Sequence, residues 1–300
     1  MGFGQKPLTH PLLVEVIETE FIPVAVANNK PGKNAGTMKR FREPAWNNPV
    51  MRFVDAAGKD ILPRRDRIWK AGAVASRLIE AIEAANRPVP EYLRVAAAEL
   101  NARRPQRATF GMASFWDGEA RLGAVNGILS TRAGWIDELE VVEVLFDEET
   151  ISYGDLIRES LKHNCARAVF AHSEEQLRQA KEAAPGKAQL LDGAARDASW
   201  FDRKYELKKT PYQYLPLTPL QASRANAALR LGTDATRFLS ARQRAMAEEI
   251  AAVLEADRNA ISYLKPPETD LWALSAYEDR LRSKLEVLQK ENPGKRKKRK

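Results

Sequence analysis

The sequence predicts an α/β (α+β) protein in which a small mixed domain precedes a larger domain and a helical extension. Three observations support this fold class. Strand-like and helix-like segments alternate in both halves of the 300-residue chain, and a Pro-containing stretch near residues 87–106 separates the halves. The patterns after about residue 216 are helical. A chain of this length is long enough for two domains.

Composition narrows the possible protein classes. Apolar residues make up 44% of the chain and charged residues 29%, which is typical of soluble globular proteins. No run of eighteen apolar residues predicts a membrane span, and no signal-peptide pattern opens the chain, so we expect a cytoplasmic protein without a membrane partner. The net charge of +8 is concentrated in the last six residues, KRKKRK. We expect residues 293–300 to form a disordered basic tail that contacts acidic partners nonspecifically.

Cysteine and histidine usage excludes two kinds of site. Cys165 is the single cysteine, so an intramolecular disulfide is excluded and any thiol redox cycle needs an external thiol. The three histidines are far apart and lie in no metal-binding spacing. We therefore expect neither a metal site nor a cofactor.

The first predicted domain, residues 1–90, has the order helix, strand, loop, strand, hairpin, strand, helix. Apolar periodicity and turn residues place these elements as follows: a helix over 12–18, a strand over 21–27, a loop over 28–36, strands over 50–55 and 60–63, and a helix over 66–85.

This order, over about residues 10–86, resembles the C-terminal part of a thioredoxin fold. In that family a cis proline precedes the hairpin strand and faces a Cys-x-x-Cys pair, and Pro49 is the matching structural position. The family's first strand, helix and strand, with Cys-x-x-Cys, would lie before Leu12, where only MGFGQKPLTHP stands. The resemblance implies a partial domain. Two alternatives stay open: another element completes the sheet, or the recorded start lies too far downstream.

The second predicted domain, residues 107–215, follows a linker helix in 91–106 and precedes a helical extension over 216–292. Its elements have the order βαββαβα, which is typical of a ferredoxin-like split βαβ core. Ser152 and Ser173 have the positions and partners of helix N-caps. These elements are strands at 107–111, 125–135, 138–147 and 168–171, with helices from 116, 152 and 174.

Four sequence blocks in this domain, over about residues 108–184, resemble the peptide methionine-S-sulfoxide reductase family. They are ATFGMASFWDGE at 108–119, GILSTRAGW at 127–135, the run from EVVEV at 140–144 to ISYGDL at 151–156, and AVFAHSEEQ at 168–176. The blocks occur in the family's order. The resemblance implies that methionine sulfoxide in peptides or proteins is the substrate and that an external thiol such as thioredoxin is the reductant.

The resemblance also implies the site residues. The family's nucleophilic cysteine lies directly before Phe-Trp, and Ser114 occupies that position here. Phe115 and Trp116 match the aromatic cup for the methionine methyl group, and Trp135 matches the Gly-aromatic turn. Glu140 matches the acid that hydrogen-bonds the sulfoxide oxygen.

Cys165 lies close to the position of a pocket tyrosine in the family, whose Gly-Thr-Gln-Tyr-Arg run is absent here. The sequence leaves three alternatives for this thiol: a relocated nucleophile, the surviving half of a dithiol pair, or a buried inert cysteine. For Ser114, the sequence leaves two alternatives: a structural or capping role, or a nucleophilic role.

Two functional hypotheses follow. In the first, the chain is a divergent oxidoreductase that uses Cys165 with Glu140. In the second, it is a catalytically inactive pseudoenzyme that binds peptides or proteins through the retained aromatic cup.

Overall fold

The computed structural model describes residues 7–28, 32, 34–44, 46, 48–256 and 274–291. The chain divides into two compact units, residues 1–100 and residues 101–300. The predicted basic tail at 293–300 lies outside the described residues. Within the described ranges, every helix is too short or too polar to cross a membrane.

The first unit is mainly helical. Buried apolar side chains of three helices form most of its core, among them Leu13, Val16, Leu78, Ile82 and Leu93. The elements are α1 (Pro11–Glu20), α2 (Ala35–Phe41), β1 (Val50–Met51), β2 (Arg65–Asp66), α3 (Ala71–Ala84) and α4 (Glu91–Asn101), whose last residue begins the second unit.

Several expectations for the first unit are wrong. The segment 21–27 is not a strand: Ile22 and Val24 are 93% and 78% exposed, and no described strand pairs with them. A half-buried strand needs a neighbour to cover its apolar face, and Pro23 has no N–H to donate. The strand predicted over 50–55 shrinks to β1, and the strand predicted over 60–63 is absent, since the partner of β1 is β2 at Arg65–Asp66. Every described peptide bond is trans, including the one before Pro49. The thioredoxin-like relation stays a prediction.

The second unit contains a six-stranded mixed sheet with helices. Its elements are β3 (Pro105–Gly111), α5 (Phe115–Gly123), β4 (Ile128–Ile136), β5 (Leu139–Asp147), α6 (Tyr153–Lys162), β6 (Ala168–Ala171), α7 (Glu174–Ala183), β7 (Ala188–Leu190), β8 (Arg196–Asp197), α8 (Tyr205–Lys208), α9 (Pro219–Arg230), α10 (Ala241–Ala256) and α11 (Leu274–Glu291). The strand order is β7-β6-β3-β5-β4-β8.

This order confirms the predicted split βαβ core. The four central strands lie in the order β6-β3-β5-β4 and pair antiparallel, as the βαββαβ arrangement requires. Strands β7 and β8 extend the sheet at its two edges. Apolar residues of β3, β5 and α6 form the core, including Phe110, Val142, Phe146, Leu156 and Ile157.

Local capping signals in this unit are also confirmed. The Ser152 and Ser173 hydroxyls accept hydrogen bonds from the backbone N–H groups of Asp155 and Gln176. Both helices therefore begin where the sequence predicts. In the C-terminal segment, Thr218 forms a capping box at the start of α9, which packs against α5.

Candidate functional site

The start of α5 brings together two of the predicted catalytic residues. Ser114 is the residue before the helix, with an extended backbone, and is partly buried. Its hydroxyl makes no capping hydrogen bond within the described residues. The Glu140 carboxyl group on β5 reaches the first N–H group of the helix, since its Oε2 accepts a hydrogen bond from the Phe115 backbone N–H at 2.6 Å. A carboxylate at a helix N-terminus also interacts favourably with the helix dipole.

The capping role expected for the Ser114 hydroxyl is absent from the described contacts. The sequence predicted it because serine is a common N-cap residue, whose hydroxyl accepts from the second or third N–H group of a helix. The β-sheet instead brings Glu140 close from 25 residues away, and its carboxyl group accepts from the first N–H group of α5, that of Phe115. The Ser114 hydroxyl and the Glu140 Oε1 atom are left without a hydrogen-bond partner among the described residues.

Aromatic rings lie beside this pair of polar groups. Trp135 is the cross-strand neighbour of Glu140 in the β4–β5 ladder. Its ring packs edge-on against Phe115, with centroids 5.3 Å apart and planes at 86°. The Phe115 and Trp116 rings are 6.2 Å apart and also meet edge to face. The structure thus groups Ser114, Phe115, Trp116, Trp135 and Glu140, and their role as a site stays a prediction.

Cys165 has the properties of a core residue. Its side chain is 2% exposed and belongs to the main hydrophobic cluster of the unit. The thiol donates to the His163 carbonyl oxygen at 3.4 Å. Burial raises the pKa of Cys165 to about 11, the Arg121 charge opposing the shift and Asp117 adding to it. Such a thiol carries almost no thiolate near pH 7, and the thiolate is the nucleophilic form.

Tyr205 is a residue of this site that the sequence did not predict. Its ring stacks on the Trp116 indole with centroids 4.0 Å apart and planes 8° from parallel. The neighbouring Lys204 donates from Nζ to Glu119 Oε1 at 2.6 Å, and Glu119 is completely buried. These partners are separated by about 85 residues or more, so no local periodicity signals them. The only local hint is the aromatic and charged run WFDRKYE at 200–206.

Other candidate sites in the unit are separate from this one. A cleft of about 600 Å³ is lined by residues of α5 and α6 that include Arg121, Arg158 and Lys162, and none of the predicted site residues lines it. Within the described ranges, no group of three or more His, Cys, Asp or Glu side chains is arranged to hold a metal ion.

Comparisons with known proteins relate the chain to methionine sulfoxide reductases. No protein-family model matches the chain. The peptide methionine sulfoxide reductase MsrA of Geobacter metallireducens is 27% identical, with 33% of this chain and 86% of that protein covered. The MsrA of Methanothermobacter thermautotrophicus is 29% identical, with 26% of this chain and 66% of that protein covered. Among solved structures, methionine sulfoxide reductase A of Corynebacterium diphtheriae is 15% identical, with a TM-score of 0.31, over 37% of this chain and 77% of that one.

Proposed function

We infer that the second unit, which is related to the peptide methionine sulfoxide reductases, binds the methionine sulfoxide side chain of peptides or proteins without reducing it. The two sequence relatives confirm the predicted resemblance to this family and support a methionine sulfoxide reductase-like function. The proposal adds to this that the binding site is retained and that the nucleophile is missing. This is the second of the two hypotheses that the sequence predicts.

The observation that carries the proposal is the position of Glu140 against the start of α5. The hydrogen bond from Phe115 N holds one carboxyl oxygen and leaves the other without a described partner. The ring of Phe115 packs edge-on against the ring of Trp135, which is the cross-strand neighbour of Glu140. A methionine sulfoxide side chain needs this combination, since its methyl group is apolar and its sulfur–oxygen bond is strongly polar.

The chemistry of reduction requires a thiol where Ser114 lies. A thiolate attacks the sulfoxide sulfur, an acid protonates the sulfoxide oxygen, methionine leaves, and the enzyme sulfur keeps the oxygen as a sulfenic acid. An external dithiol then reduces the sulfenic acid, forming a disulfide and water. A serine alkoxide is hard to generate and has no such oxidation states, so the hydroxyl of Ser114 cannot replace the thiol.

The first hypothesis, a divergent reductase using Cys165, has less support. The raised pKa and the 2% exposure of this side chain oppose nucleophilic attack at neutral pH. The inert-cysteine alternative fits these properties better than a relocated nucleophile or half of a dithiol pair does. Turnover of a methionine sulfoxide peptide separates the two hypotheses: the first predicts turnover that Cys165→Ser abolishes, and our proposal predicts no turnover by either protein.

A binding titration tests the proposal. The full chain is titrated with a peptide that contains methionine-S-sulfoxide, and tryptophan fluorescence is followed. Two further peptides of the same sequence serve as comparisons, one with methionine-R-sulfoxide and one with unoxidised methionine. We expect saturable binding that is tightest for the S-sulfoxide. Equal affinity for all three peptides, or no binding, would contradict the proposal.

A matched pair of variants assigns the binding to this site. Glu140→Ala removes the carboxyl group, which has to donate the hydrogen bond because the sulfoxide oxygen can only accept one. We expect it to weaken S-sulfoxide binding by about tenfold or more, the order expected when one partner of a hydrogen bond is removed. The control is Glu138→Ala, an exposed residue on the turn between β4 and β5. An equal effect of both variants would show that binding occurs elsewhere.

A further inference from the structure

The short helix α8 is attached to α5 by the stack between Tyr205 and Trp116 and by two groups of polar contacts. The stack is close, at 4.0 Å between centroids, and nearly parallel. Aromatic pairs prefer offset or edge-on arrangements, so a parallel pair needs support from the surrounding structure.

The first group of contacts surrounds Lys204, the residue before Tyr205. Its Nζ donates to Glu119 Oε1 at 2.6 Å and to Thr131 Oγ1 at 3.0 Å, and its backbone N–H donates to Glu119 Oε2 at 2.6 Å. The backbone of Lys204 has φ +52°, in the left-handed region that residues other than glycine rarely adopt. Tertiary contacts therefore fix the backbone directly before Tyr205.

The second group comes from α9. The Asn226 side-chain oxygen accepts from the backbone N–H groups of Glu206 and Leu207 at 3.1 and 3.2 Å, which caps the start of α8. Arg230 forms ion pairs with Asp117 of α5 at 2.7 Å and with Glu206 of α8 at 3.2 Å. Residues before, within and beside α8 thus fix the position of Tyr205 relative to α5.

The Trp116 ring depends on this arrangement. Its Nε1 atom is buried and finds no hydrogen-bond partner among the described residues. An indole usually gains its orientation from both its N–H group and its packing. Here the ring contacts that orient it are the Tyr205 stack on one face and the edge contact with Phe115.

We propose that Tyr205 is a positioning residue for the methionine sulfoxide site, and that α8 is part of that site. Tyr205 holds the Trp116 indole in the orientation in which it forms a wall of the aromatic cup. This inference rests on the proposed function, because it assumes that the cup binds the sulfoxide side chain. It assigns a role in ligand recognition to a segment outside the sequence blocks that resemble the reductase family.

Three variants of the full chain test the proposal. Tyr205→Phe keeps a ring that stacks, Tyr205→Leu keeps bulk without a ring, and Tyr205→Ala removes both. Exposure of the Trp116 ring is read from acrylamide quenching, after subtraction of the signal of Trp116→Phe. Affinity for the methionine-S-sulfoxide peptide is measured in the same samples, and circular dichroism checks that each variant is folded.

We expect Tyr205→Leu and Tyr205→Ala to raise the quenching of Trp116 and to weaken peptide binding by about tenfold, the order expected from loss of an aromatic pair. Tyr205→Phe should bind within about twofold of the wild type. If Tyr205→Ala does not fold, Tyr205→Leu and Tyr205→Phe decide the question, because a role in packing alone would make Leu and Phe equivalent in binding.

The outcomes separate this inference from the proposed function. If the wild type binds the peptide and the Leu and Ala variants bind as tightly or more tightly, Tyr205 either has no effect on peptide binding or blocks access to the aromatic cup. The inference is then overturned while the proposed function stands. If the wild type does not bind, the proposed function fails, and so does the role of Tyr205 in ligand recognition. Increased quenching of Trp116 in Tyr205→Leu would then support only the effect of Tyr205 on the orientation of the indole. Unchanged quenching would overturn that effect as well.

Discussion

Lys204→Met tests the buried ion pair that fixes the start of α8. The substitution keeps a long side chain and removes the charge that pairs with Glu119, whose side chain is 0% exposed. Breaking a buried pair in this way typically costs 3–5 kcal/mol, since the remaining charge loses its partner. Glu119 keeps two donors, the Thr131 hydroxyl at 3.2 Å and the Lys204 backbone N–H at 2.6 Å. We therefore expect the lower end of this range, about 3 kcal/mol.

The assay is urea unfolding of the full chain, with the unfolding of the second unit followed by pulse labelling of Cys165. This thiol is the single cysteine and is 2% exposed, so its modification reports the opening of that core. The double variant Lys204→Met with Glu119→Gln removes both charges and should recover about 1–2 kcal/mol of the loss.

Arg158→Met is the matched control, because it breaks the pair with Asp155 on α6 in which both side chains are more than half exposed. We expect its unfolding midpoint to equal that of the wild type. A loss below about 1 kcal/mol in Lys204→Met, or a double variant no more stable than the single one, would refute the reasoning.

Three further predictions concern packing and titration. Gly123→Ala should destabilise the second unit by about 1–3 kcal/mol, because a Cβ would lie 2.9 Å from the Ser223 carbonyl oxygen of α9. Gly154→Ala, where the nearest atom is 3.5 Å away, should be neutral or stabilising in the same urea titration. Since burial raises the pKa of Cys165 from 9.0 to about 11, the unfolded chain releases this proton first, and the wild type should lose stability relative to Cys165→Ala as pH rises from 9 to 11. Burial lowers the pKa of His10 from 6.5 to about 4, so the first unit should lose stability as pH falls through this interval, and a His10→Phe variant with the same pH dependence would contradict this.

Local signals made much of the second unit predictable. The caps at Ser152 and Ser173 lie within three residues of their partners, so the sequence contains both members of each contact. The alternating acidic and apolar residues of β5 likewise predict a half-buried strand. The order of these elements was then sufficient for the split βαβ topology.

The errors share a physical cause, which is the dependence of local structure on distant residues. The segment 21–27 has a strand-like composition, but a strand also requires a partner, and the described residues supply none. Ser114 is a suitable cap by residue type, but its hydroxyl makes no cap bond, and Glu140 reaches the first N–H group of α5 through the sheet. The contact between Glu119 and Lys204 joins residues 85 positions apart, and neither residue belongs to a periodic pattern.

The central claim is that the second unit retains a methionine sulfoxide site and lacks only its nucleophile. The most direct measurement is methionine formation from a methionine-S-sulfoxide peptide by Ser114→Cys, with dithiothreitol as the reductant. We predict turnover by this variant and none by the wild type or Ser114→Ala. Tight binding of the peptide by Ser114→Cys without any turnover, or turnover by the wild type at a comparable rate, would contradict the account.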